Sequence, residues 1–107
     1  MRIVYSSRAV ESLKNIFQFL HRKSETAAAT IQNGILDGID RLLSFPEMAP
    51  IEPLLEAEPE TFRSLVINRH YKAVYVIEDE TIYIVDIWDC RQEPESLKKK
   101  TEEIIAK

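Results

Sequence analysis

Cysteine is all but absent from this chain, and Cys90 stands alone. One thiol closes no internal disulfide and builds no zinc site by itself, which fits a reducing compartment. Long apolar runs are missing too, and none approaches the ~20 residues that a membrane-spanning helix needs. A basic excess is also lacking: 18 acidic residues against 14 Lys and Arg leave a net charge of -4. That balance excludes a surface that grips nucleic acid as a whole, so any phosphate contact needs a local basic patch. Internal repeats and low-complexity segments do not occur. The opening residues, MRIVYSSRAVESL, turn polar and acidic too early for a secretory signal, so a cytoplasmic protein is expected.

What remains is the profile of a folded globule, 45% hydrophobic and 30% charged. A chain of 107 residues suits one domain over 1–107, large enough to bury a core without staples. Arg2 to Tyr5 is a short β-like run. Ser6 or Ser7 caps a helix in which Val10, Leu13, Ile16, Phe17 and Leu20 recur at helical spacing, opposite Glu11, Lys14, Asn15 and Gln18. The pattern breaks at His21 to Glu25. Ser24 then starts a second helix that runs to about Ser44, with Ala28, Ile31, Ile35, Ile39, Leu42 and Leu43 on one side. Two helices joined by a short polar link predict an antiparallel hairpin.

Gly34 and Gly38, the only glycines, lie inside the second helix, where each costs about 1 kcal/mol against Ala. Close approach of a neighbouring element is the expected reason. Asp37, Asp40 and Arg41 around them exclude a membrane GxxxG contact. Pro46, Pro50, Pro53 and Pro59 break the stretch Phe45 to Pro59 into a crossing segment, with a short turn expected around Ile51, Leu54 and Leu55. Strands follow at Phe62 to Ile67, Tyr71 to Ile77 and Thr81 to Trp88, with Glu78, Asp79 and Glu80 as a hairpin turn. Helices are expected on one face of this sheet, leaving the other half-open. Trp88 is expected on the same face as Ile84 and Asp86. The tail from Glu93 to Lys107 reads as a helix with Pro94 at an early position and Leu97, Ile104 and Ile105 as its apolar side.

The fold class is therefore α+β: an N-terminal strand, an antiparallel helical hairpin, a three-stranded antiparallel meander and a C-terminal helix. Together with the run YKAVYVIEDETIYIVDIWDCRQEP, this order resembles the RelE/ParE superfamily of type II toxins. The likeness rests on Arg63 at a strand start, on Tyr71-Lys72-x-x-Tyr75, and on Arg91-Gln92-x-Pro94. Leu43 and Phe45-Pro46, closing the helical half, resemble the ParE-like branch. The resemblance implies a toxin held inactive by a cognate antitoxin that covers the sheet edge or the helix groove. It implies one of two targets: DNA gyrase for ParE-like members, or ribosome-bound messenger RNA for RelE-like ribonucleases. A degenerate toxin that only binds its antitoxin is a third possibility.

Ribose-assisted RNA cleavage needs a base, cations on the phosphorane and an acid for the leaving oxygen. Arg63, Lys72 and Arg91 match the basic positions of the nuclease branch, with Arg69 nearby, and are the catalytic candidates if the chain cuts RNA. The resemblance also implies a Tyr or His shortly after Arg91; Gln92 to Leu97 holds neither. His70 falls in a turn, and Tyr71, Tyr75 and Tyr83 read as sheet aromatics. Each cation also has a structural reading, and Arg91 has Asp89 and Glu93 as nearby partners. Asp86 and Asp89, three apart on a strand, face opposite sides and make a poor Mg²⁺ pair. No metal and no cofactor are expected.

Overall fold

The computed structural model describes residues 1–105. A strand β1, Arg2–Tyr5, leads into helix α1, Ser7–His21, and then helix α2, Glu25–Asp40. Three strands follow, β2 at Phe62–Ile67, β3 at Tyr71–Glu78 and β4 at Thr81–Asp89, and helix α3 spans Pro94–Ile105. The helix expected to run to Lys107 thus reaches Ile105; Ala106, Lys107 and the side chains of Ile104 and Ile105 lie outside what is described. No described helix is long and apolar enough to cross a membrane.

The sheet order is β1-β4-β3-β2. β2, β3 and β4 form the antiparallel meander, and β1 joins β4 in parallel, Ile3 beside Ile82 and Tyr5 beside Ile84. The helical hairpin supplies the crossover that a parallel pair requires. Both helix starts are capped by serine, which offsets orphan N–H groups. Ser6 Oγ accepts from Ala9 N–H at 3.0 Å and Ser24 Oγ from Ala27 N–H at 3.1 Å. The Ser6 hydroxyl also donates to Val85 O at 2.6 Å, tying the cap to β4.

The hairpin lies on one face of the sheet. Ile35, Ile39 and Leu42 pack there with Ala73, Tyr75, Ile82, Ile84 and Ile87, all buried. Two helical residues depart from the expected apolar side. Val10 is exposed and Ala9 takes the buried position. Leu43 is exposed because α2 tightens after Asp40 into a 3-10 turn, Arg41–Leu43. At three residues per turn Leu42 falls in line with Ile39, and Leu43 rotates outward. Phe17 is half-buried and stacks beside His21 with ring centroids 5.5 Å apart.

The second face is not left half-open. Trp88, Val74, Val85 and Phe62 meet Leu55 from the crossing segment and Leu97 from α3. The expected turn in that segment is a 3-10 turn at Pro53–Leu55. The placement of Trp88 with Ile84 is also overturned. Tyr75 pairs with Ile84 but Val74 pairs with Asp86, so Val85 is an extra residue, a β-bulge. One inserted residue reverses the alternation. Ile84 and Ile87 therefore share the helix-side core, while Trp88 enters the other.

The glycines divide. A Cβ at Gly38 would stand 3.1 Å from Ile67 Cγ1, the expected close approach, whereas a Cβ at Gly34 would meet nothing within 4 Å. With both glycines in α2, the hairpin turns use other residues at positive φ. Asn68 and Arg69 sit at 52° and 66°, Asp79 and Glu80 at 49° and 60°. The second pair forms the two-residue turn that matches strand twist, since Glu78 pairs with Thr81 inside the strands.

Candidate functional site

The three candidate cations do not converge. Arg63 is cross-strand from Tyr75, whose ring belongs to the helix-side core. Lys72 is cross-strand from Trp88, which belongs to the opposite core. Cross-strand partners share a face, so Arg63 and Lys72 point to opposite sides of the sheet. They are also offset along it by the three residues that separate Lys72 from Tyr75, about 10 Å at strand rise.

Each cation has a local partner. The Arg63 guanidinium donates from Nη1 to Ala49 O at 2.8 Å and to Glu47 O at 3.4 Å. Tyr75 reaches the same segment, its hydroxyl donating to Pro46 O at 2.7 Å. Burial pushes the Tyr75 phenol above its ordinary value, with Arg63 acting against the shift. Arg63 and Tyr75 thus pin residues 46–49 against the sheet. Lys72 Nζ donates to Glu52 Oε1 at 3.0 Å, and Glu52 is 1% exposed. Its other oxygen, Oε2, accepts from Leu54 N–H at 2.8 Å and caps the 3-10 turn.

Arg91 holds Asp89 in a two-point clasp, Nε to Oδ1 and Nη2 to Oδ2, both at 2.9 Å. Nη2 also donates to the Tyr71 hydroxyl at 3.1 Å, and the guanidinium carbon lies 5.7 Å from the Tyr71 ring centroid. The hydrogen bond to Asp89 leads the causes that raise the Arg91 pKa. At Asp89 burial pushes the carboxyl up, but Arg91's bonds and charge outweigh it and the net shift is downward. His70 is in the β2–β3 turn, its carbonyl accepting from Cys90 N–H at 2.7 Å. Burial raises the Cys90 thiol.

Two groups that sequence reading did not single out organise this end of the molecule. Glu52 is one; the signal for it was its place before Pro53, where a carboxylate caps the following turn. Asp86 is the other, read only as half of a metal pair. It is 3% exposed. Asp86 Oδ1 accepts from the Ser12 hydroxyl at 2.6 Å and from Ile87 N–H at 2.7 Å, with Arg8 Nε 3.8 Å from Oδ2. Burial raises its carboxyl, and Ser12, Ile87, Arg8 and Lys100 pull the other way. Asp86 thus fastens α1 to β4, while Asp89 belongs to Arg91; the two do not face one ion.

The exposed surface is more distinctive than any polar cluster. Leu43, Phe45, Met48, Ile51 and Val66 are all between 46% and 67% exposed, and Met1 joins them at 54%. They run from the end of α2 across the crossing segment to the free edge of β2. Met1, Phe45 and Met48 line one surface depression and Met48 and Val66 the next, and apolar surface that runs on in this way marks a place where another chain binds.

A sheet of this order under an N-terminal helical hairpin defines the small α+β toxins of the RelE/ParE class. The family model described as ParE toxin of type II toxin-antitoxin system, parDE, matches residues 3–94, and the chain belongs to that family. A solved structure described as the chromosomal ParDE TA system from P. aeruginosa has a similar fold, with a TM-score of 0.68 at 18% identity. The match covers 83% of this chain and 95% of that one. No curated protein matches the chain.

Proposed function

We propose that the chain is the toxin of a type II toxin–antitoxin pair, neutralised by a cognate antitoxin, and that it arrests growth by binding DNA gyrase. The observation that carries the choice of target is the separation of Arg63 from Lys72 on opposite faces of the sheet. Phosphorane stabilisation needs preorganised cations aimed at one phosphate. Here two of the three lie on opposite faces, and all three are engaged by carbonyls or carboxylates. The stretch Gln92 to Leu97 adds no imidazole or phenol as a base. An apolar surface with no assembled acid–base pair suits a protein that works by holding a large partner. A cytoplasmic protein serving plasmid stabilisation is consistent with this reading.

Arg91 favours a second reading, ribosome-dependent cleavage of messenger RNA. Its side chain is half exposed and rigidly held, so it presents a fixed charge. Induced expression in a bacterium tests both. Gyrase poisoning predicts relaxed plasmid DNA and DNA-damage signals while translation continues, with rescue by the antitoxin. Cleaved messenger RNA, lost in Arg91→Ala, would reverse the order. Rescue-independent growth with neither effect would leave a degenerate toxin that only binds its antitoxin.

A further inference from the structure

The sheet has two unlike edges. β1 is 4 residues long, and an edge that short is a weak template for another strand. β2 is 6 residues long and pairs with β3 in unbroken register from Phe62 to Ile67. Its sequence, FRSLVI, holds no proline and no lysine, two of the residues that blunt an exposed edge. In this register Phe62, Ser64 and Val66 direct backbone N–H and C=O groups away from β3. Left bare, such an edge can pair antiparallel with its own copy, because that contact obeys a two-fold axis.

The chain covers this edge with its own crossing segment. Glu52 N–H donates to Phe62 O at 2.8 Å and Ser64 N–H donates to Pro50 O at 3.0 Å, on either side of an Ile51–Arg63 bridge. Pro50 and Glu52 therefore face β2, and Ile51 carries the backbone groups that point outward. Pro50 and Pro53 flank it and have no N–H to offer a further strand. Side chains hold the segment from both sides of the sheet. On the helix side the Tyr75 hydroxyl donates to Pro46 O at 2.7 Å, and Arg63 Nη1 donates to Ala49 O at 2.8 Å. On the other side Lys72 Nζ donates to the buried Glu52 carboxylate at 3.0 Å. The opposite directions of Arg63 and Lys72 make a poor phosphate site, but they are what a segment wrapped around an edge requires.

We infer that residues Pro46 to Glu52 are a strap that closes the β2 edge and keeps the free chain from pairing edge to edge with a second copy. Arg63, Tyr75 and Lys72 are its fasteners. Once released, the strap uncovers Phe62 and Ser64 beside Val66, which is already 54% exposed, and β2 becomes one continuous edge. Two such edges join antiparallel and merge two sheets into one. The strap belongs to the fold and acts whichever target the toxin has.

Arg63→Ala with Tyr75→Phe removes the helix-side fasteners and keeps the Tyr75 ring in the core. The Ser64 and Glu52 amides report the strap by hydrogen exchange, and Leu65, whose N–H faces β3, is the control. In dilute solution both strap amides should exchange at least ~10-fold faster than in the parent, with Leu65 unchanged. Sedimentation equilibrium should show the variant dimerising at least ~10-fold more tightly than the parent. In that dimer Ser64 is protected again and Glu52 stays fast. Val66→Lys, added to the pair, sets a charge on the edge and should restore the monomer while Glu52 still exchanges fast. If the double variant does not fold, Arg63→Ala alone, with the Tyr75 bond kept, is put through the same measurements. Strap amides that exchange as in the parent show that these side chains fasten nothing, and overturn the inference. A released chain that stays monomeric shows that the edge needs no cover, and overturns it too. Dimers indifferent to Val66→Lys, or a parent dimer that Val66→Lys dissolves, do the same.

Discussion

The two faces of the sheet are built differently. The helix-side face is filled by apolar side chains of the helical hairpin and the 3-10 turn that ends it, Ala9, Ile35, Ile39 and Leu42 against Ile82, Ile84 and Ile87. The opposite face is covered by irregular chain and a terminal helix, gathered around Trp88. There the packing is fastened by buried polar bonds. Lys72 holds Glu52, and Trp88 Nε1 donates to Thr101 Oγ1 at 3.1 Å. Hydrophobic area needs no direction and tolerates adjustment. A buried polar bond fixes one arrangement and penalises every other. The helix side therefore supplies bulk stability, and the far side supplies registration of segments that have little periodicity of their own.

The sharpest way to break this contrast is to remove one end of the Lys72–Glu52 bond. Glu52 is buried, and Lys72→Met leaves its charge without a counterion. A loss of about 3–5 kcal/mol is expected, measured by urea unfolding. The double variant Lys72→Met with Glu52→Gln should recover much of it, because no buried charge remains. If Lys72→Met alone is neutral, the bond fixes nothing and the contrast fails.

On the helix side, Ile39→Ala removes a fully buried side chain and should cost about 2–5 kcal/mol. The loss should appear as one cooperative transition, because Ile39 touches the core shared by hairpin and sheet. Leu97→Ala on the far face tests the other half of the comparison. Its effect should concentrate in α3, raising amide exchange there before the sheet opens. Equal exchange in α3 and β4 would merge the two faces into one cooperative unit.

The same division governs what could be read from the amino acids. The hairpin and all three meander strands were legible, because helical periodicity marks one buried side of each helix and apolar, β-branched runs bounded by polar turns mark the strands. Val85 was not. A bulge leaves no signature in an apolar strand such as Ile84-Val85-Asp86-Ile87, yet it moved Trp88 to the other core. The cover of that second face was missed for the same reason. Leu55 lies in a proline-broken segment without periodicity and Leu97 stands between Ser96 and Lys98, and only the folded chain brings them together. Among the candidate site residues, the structural partner of Arg91 was visible because Asp89 is two residues away. The partner of Lys72 is 20 residues distant and was not.

Thr101→Val asks how far the far face depends on one bond. The hydroxyl accepts from Trp88 and donates to Leu97 O at 3.0 Å, wholly inside the protein. Valine keeps the shape and leaves the indole N–H without an acceptor. About 1–3 kcal/mol should be lost, with α3 exchanging faster than in the parent. Thr101→Ser keeps the bond and should lie much closer to the parent. If valine and serine behave alike, packing and not the hydrogen bond holds α3.

The smallest expected effect separates the exposed ion pair from the buried one. Arg91→Ala breaks a clasp whose arginine is half in water, and should cost no more than about 1 kcal/mol. Its companion signature is in pH. Asp89 titrates below its ordinary value when folded, so the unfolded chain binds the proton more readily. The pair's contribution is present above the ordinary aspartate range and disappears as pH falls through the lowered folded value. Asp86 carries the opposite sign. Burial raises its folded value, so the native state holds the proton more tightly, and stability falls as pH climbs from the ordinary value to the raised one. Urea midpoints across acid pH should therefore show a rising limb that Asp89→Asn or Arg91→Ala flattens. At slightly higher pH a falling limb should appear that Asp86→Asn removes. Should both variants alter the same limb, the two aspartates titrate as one group. The bonds of Asp86 to Ser12 and of Asp89 to Arg91 would then not be independent.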